Sequence, residues 1–151
     1  MFSVPGLTGG AAGITLRAMI DMSIDIAAPL DRTWSCLTSP AHLRRWWNEN
    51  LTLDAVPGGR FEEPGTATGG NVLDLKDQRE LRLTWAGPDW PIETEVTIRL
   101  DRGDASTRLM LTHGGWSAFP EDDRAHLIET HRAGWTRHLQ SLAAYAAGPA
   151  H

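Results

Sequence analysis

His113, His131 and Glu63 are the residues of this 151-residue chain whose types and placement could carry acid–base chemistry. His113 continues the alternation Thr107, Leu109, Leu111 and so shares the apolar face of its strand. His131 falls on a helical stripe with Ile128, Trp135, Leu139, Leu142 and Ala146. Glu63 shares a strand face with Phe61. A histidine and a carboxylate buried together can act as general acid and base, because burial can shift both pKa values. The competing reading makes each histidine a satisfied core residue bonded to backbone. Glu63, at a strand end, suits solvent as well as it suits the interior. A metal on these three would need ligands about 2.0–2.2 Å from one ion. No short-range ligand spacing supports that, and neither metal nor cofactor is expected.

The same alternation supplies walls for such a site. Asn71 shares a face with Leu73 and Leu75, and Thr94 lies between Ile92 and Val96. Trp85 and Trp116 are the aromatic walls, with Phe61 alongside. Seven tryptophans in one chain serve either to pack around few elements or to line an aromatic site. Other chemistries lack their motifs. There is no G-x-S-x-G and no glycine loop to cradle phosphate. Cys36 is the only cysteine and stands among Trp34, Leu37 and Thr38. It excludes an internal disulfide and reads as a buried, inert thiol in a reducing compartment.

Several elements must position these residues. Met19 to Ile26 alternates with period two, a strand with Ile20, Met22, Ile24 and Ile26 on one face. Pro29 and Ser39-Pro40 open two short helices, with Ser39 as N-cap of the second. Strands are expected over 51–56, 60–63, 71–76, 80–86, 92–100 and 107–113, separated by glycine turns. The turn Pro57-Gly58-Gly59 sets the register that sends Phe61 and Glu63 inward and Arg60 and Glu62 outward. The last element runs from about Glu121 to Ala147, opened by Glu121, Asp122 and Asp123 and stopped by Gly148-Pro149. On it Glu129, Thr130, Arg137, Gln140 and Ser141 fall opposite the apolar stripe. A run of strands without intervening helices makes an antiparallel sheet. The class is therefore α+β, a curved antiparallel sheet of about six or seven strands wrapped on a long C-terminal helix.

This order resembles the SRPBCC (START-like, helix-grip) superfamily. The branch it looks like is the homologues of the heat-shock-protein-90 ATPase activator C-terminal domain. The residues that carry the resemblance are Ile26 to Trp47, Val56 to Phe61, Leu81 to Trp85, Thr107 to Trp116 and His131 to Tyr145. It implies an internal cavity for a small hydrophobic molecule, aromatic or polyketide-like. In some members that cavity supports cyclisation or dehydration. The alternatives are a non-catalytic carrier and a protein-interaction, co-chaperone-like module. Trp34, Trp46, Trp85 and Trp135 stand where the branch has packing tryptophans. Trp90 and Trp116 look less like framework and are the candidates for cavity or rim. Trp135 is kept as a ligand contact beside Trp85.

Length and charge bound the rest. One domain is expected over 19–147, with a flexible leader over 1–18 and a tail over 148–151. A net charge of -5 argues against nucleic acid, which takes a basic surface. No apolar run approaches the roughly 18 residues of a membrane helix, and no signal peptide is read. The expectation is a cytoplasmic protein, with a homodimer compatible with every functional reading.

Overall fold

The computed structural model describes residues 19–149. The expected leader over 1–18 lies outside them, as do residues 150 and 151 of the tail. In chain order the elements are β1 (Ile20–Ile26), α1 (Leu30–Thr38), α2 (Pro40–Trp46), β2 (Thr52–Leu53), β3 (Arg60–Glu63), β4 (Thr68–Lys76), β5 (Glu80–Trp85), β6 (Thr94–Arg102), β7 (Thr107–Gly114) and α3 (Glu121–Ala147). A single 3-10 turn, Trp116–Ala118, precedes α3. The seven strands form one antiparallel sheet in the order β1-β7-β6-β5-β4-β3-β2. No helix among the described residues is long and apolar enough to cross a membrane.

Local chemistry explains most boundaries. Pro29 and Pro120 occupy the N-cap positions of α1 and α3, and Pro40 opens α2. Ser39 is the N-cap of α2, but its carbonyl rather than its hydroxyl takes the first amides, from His42 and Leu43. At the far end of α3, Arg32 donates through Nε to Ala146 O at 2.7 Å, a cation on carbonyls the helix leaves open. The expected strand over 51–56 shrinks to Thr52–Leu53 because the amide of Val56 turns back onto Asp54 O. The glycine turn behind it is a packing requirement. Gly58 has φ +84°, and a Cβ on Gly59 would lie 1.9 Å from Asp54 O. This holds the register, with Phe61 and Glu63 buried and Arg60 and Glu62 exposed.

One face reverses the sequence expectation. Val72 pairs with Leu83, but Asp74 pairs with Arg82, so Leu73 is an extra residue in β4. A one-residue bulge swaps the faces on either side of it. Val72 is buried and Leu73 exposed, while Asn71 stands outside, taking a hydrogen bond from Arg60 at 3.3 Å. Asn71 therefore points away from the face on which it was expected.

The core lies between the sheet and α3. Ile20, Leu109, Leu111 and Leu142 are fully buried there. Each such side chain contributes roughly 1.5–3 kcal/mol by leaving water. The helix packs most closely on β1, with α1, α2 and the 3-10 turn at its flanks.

Candidate functional site

A cavity of about 340 Å³ opens where α3 parts from the β3–β4 hairpin. Glu63, Thr66 and Thr68 form its sheet wall, Trp85 its inner end, and Thr130, His131, Gly134, Trp135, Arg137 and His138 its helix wall. The register at Gly58-Gly59 aims Glu63 inward, and the alternation of β5 aims Trp85. The helix residues fall at steps of three and four on one side.

Of the ten residues expected at a site, four line this cavity: Glu63, Trp85, His131 and Trp135. Phe61 lies behind the wall, stacked on Trp85 at 5.4 Å between ring centres. Trp90 and Trp116 lie beyond His131, their ring centres 5.5 and 5.0 Å from it. Thr94 and His113 are in the core, at 2% and 0% exposure.

His113 is the centre of a closed hydrogen-bond chain. The Trp135 indole N–H donates to its Nδ1 at 3.0 Å. The Thr94 hydroxyl donates to Trp85 O at 2.9 Å, so it accepts from His113 Nε2–H at 2.8 Å. The Trp116 indole N–H caps the chain on His113 O at 2.8 Å. Both ring nitrogens are used, and the tautomer is fixed with its proton on Nε2. Burial, and then the neighbouring His131, push the imidazole pKa down to about 2. Thr94 and Trp116 spend their polar atoms in the same network.

His131 is built differently. Its Nδ1 meets Leu127 O one turn back at 2.9 Å, which puts the proton on Nδ1. Nε2 is left with a lone pair and no hydrogen-bond partner among the described residues. Burial lowers its pKa, and the Leu127 carbonyl opposes that in part. Glu63 is shifted the other way. Burial raises its carboxyl pKa, with donors of Asn48 and Trp47 drawing it back. The Trp47 indole N–H is buried and makes no hydrogen bond of ordinary length among the described residues. The neutral forms of both groups are thus favoured on opposite walls of one cavity, an arrangement suited to moving a proton on a bound molecule.

The sequence reading missed His138, Gly134, Thr130 and Arg137. Burial lowers the His138 pKa to about 4, with Arg137 adding to it. The His138 ring lies 4.7 Å from Trp47. The available signal was spacing, because His138 is seven residues from His131 and returns to the same helix face. Thr130 and Arg137, assigned to the solvent face, border the cavity because α3 stands off the sheet there. No cluster of three His, Cys, Asp or Glu among the described residues could hold a metal. Cys36 is fully buried, and that burial raises its pKa.

A seven-stranded antiparallel sheet gripping one long C-terminal helix, with a cavity between them, defines a START-like, helix-grip protein. Residues 27–147 match the model of the Activator of Hsp90 ATPase homolog 1-like proteins, and the chain belongs to that family. No curated protein matches the chain. Among solved structures it is similar to CalU16 from Micromonospora echinospora, with 26% identity, a TM-score of 0.70, and 88% of this chain and 81% of that one covered. An HSP90 activator from Plasmodium falciparum, PFC0360w, shares the fold at 18% identity and a TM-score of 0.72, covering 87% of this chain and 97% of that one. So does the Aha1 dimer from Colwellia psychrerythraea, at 22% identity and 0.70, covering 83% and 92%.

Proposed function

We propose that the chain binds a small, largely aromatic molecule in this cavity and acts on it by proton transfer. The observation that carries the reading is that Trp85 and Trp135 share one 340 Å³ space with Glu63 and His131. Glu63, its pKa raised, donates a proton, and the free Nε2 of His131 accepts one. That division of labour suits an enolisation, dehydration or cyclisation. His113, expected at first as a third acid–base group, takes a positioning role, since its ring nitrogens are occupied. A carrier without turnover would use the same cavity and differ only in kinetics.

Native mass spectrometry of the freshly isolated protein tests the reading, together with thermal shifts against aromatic compounds. A bound small molecule or a ligand-dependent rise in Tm is expected. A protein that arrives empty and is indifferent to the whole panel would sink it.

A second reading, a protein-interaction module, is favoured by the family match itself. Its test is direct binding of purified Hsp90, with and without a cavity ligand. Self-association belongs to the same reading, because the Colwellia relative is a dimer. Light scattering of the purified chain measures it. A cytoplasmic setting fits the lone buried thiol of Cys36.

A further inference from the structure

Gly134 sits in the middle of the 27-residue helix α3 and lines the cavity. Glycine is among the worst residues for a helix interior and alanine the best. Glycine is usually kept there because a side chain would collide with something. That reason is missing at this position. A Cβ on Gly134 would meet only the Arg137 guanidinium, at 3.9 Å, which is ordinary contact. Gly59 and Gly70 are the contrast, since a Cβ there would lie 1.9 Å from a backbone oxygen. Nothing in the packing of the described residues requires glycine at 134.

The surroundings supply another reason. His131 lies three residues before Gly134 and His138 four after, on the same side of the helix and about 10 Å apart along its axis. Both line the cavity, and Gly134 is the bare backbone between them. His131 presents an unshared lone pair at Nε2, its Nδ1–H being committed to Leu127 O. His138 makes no hydrogen bond among the described residues and rests on the rings of Trp47 and Trp135. A wall with an acceptor at its end calls for a ligand that carries a donor. A flat gap over bare backbone, beside Trp85 and Trp135, calls for a planar ring.

We infer that Gly134 is the specificity-determining floor of the ligand site, over which the flat ring of a hydroxylated aromatic lies between His131 and His138. The ligand hydroxyl donates to Nε2 of His131, and His138 bounds the far edge of the ring. Any side chain at 134 lifts the ring off the helix and withdraws its hydroxyl from His131. The inference rests on the cavity being a ligand site, as proposed above. The volume, near the low end of the roughly 300–1,000 Å³ typical of ligand pockets, suits two or three fused rings.

The test titrates the wild-type chain, Gly134→Ala and Gly134→Leu with 2-naphthol and with naphthalene, alongside thermal melts. Gly134→Ala is expected to melt about 2–4 °C higher, from its better helix propensity. It is expected to bind 2-naphthol at least five-fold more weakly, and Gly134→Leu not measurably. Naphthalene is expected to bind the wild type at least ten-fold more weakly than 2-naphthol. If Gly134→Ala melts lower, packing does require the glycine and the inference fails. If wild type and Gly134→Ala bind 2-naphthol alike, the floor is wrong while the cavity reading survives. Equal affinity for naphthalene removes the hydroxyl contact. A wild-type chain that binds neither compound overturns the aromatic-ligand reading and this inference with it.

Discussion

The two halves of the helix–sheet interface treat the same residue types in opposite ways. In the closed half, β6, β7 and the middle of α3 meet around His113, and the polar atoms of that network find partners inside the protein. In the open half, α3 parts from β3 and β4, and His131, His138 and Glu63 face a cavity with binding capacity to spare. Both halves hold a cavity-facing or core tryptophan next to a histidine of lowered pKa. The difference is whether the hydrogen-bond inventory closes. Where it closes, a histidine is architecture. Where it stays open, the same side chain has something left to offer a ligand.

The largest test of that contrast is His113→Ala. It empties a fully buried volume and strands the Trp135 indole N–H, so it should lower stability by about 3–5 kcal/mol in urea unfolding. A loss under about 1 kcal/mol would break the contrast. Acid comes next. His113 and His138 titrate near 2 and 4 in the folded chain against an ordinary value of 6.5, and His131 is lowered too. The unfolded chain therefore takes up protons that the folded chain refuses. Stability should be complete above about pH 6.5 and fall as pH drops, with the His138 share spent near pH 4 and the His113 share near pH 2. The slope for His113 approaches about 1.4 kcal/mol per pH unit. Glu63, with its raised pKa, works the other way, losing its share as pH rises through its folded value. A flat profile between pH 7 and 4 would contradict a closed His113.

The open half should answer through function rather than stability. His131→Ala and Glu63→Gln should each shift unfolding by no more than about 1 kcal/mol, yet weaken ligand binding or turnover at least ten-fold. Equal losses of stability and function would make both halves structural. The smallest effect belongs to Asn71→Ala, outside the bulged strand. It should change stability by about 0.5 kcal/mol or less and ligand binding not at all.

The sequence showed the closed half more clearly than the open one, for a physical reason. Periods of two and 3.6 report which residues face a packed partner. Together with the turn and cap residues they located β3, β7 and both ends of α3, and they put His113 and Trp135 in the interior. A cavity is a place where packing stops, and periodicity carries no mark of that. Thr130 and Arg137 looked like solvent residues because each is polar on the far side of an apolar stripe. Asn71 was misplaced because a single extra residue at Leu73 reverses a strand without changing its composition. His138 was visible only as a seven-residue echo of His131.

The two central imbalances of proton placement can be read without any substitution. His113 and His131 lie 5.5 Å apart, ring centre to ring centre, yet one carries its proton on Nε2 and the other on Nδ1. In a nitrogen-15 spectrum they form a matched pair with reversed labels. The His113 signals should stay fixed across the neutral range and under ligand, an internal standard supplied by the fold. Of the two, only the His131 Nε2 signal should move when a hydroxyl arrives, so a single sample reports whether the cavity is occupied and from which side.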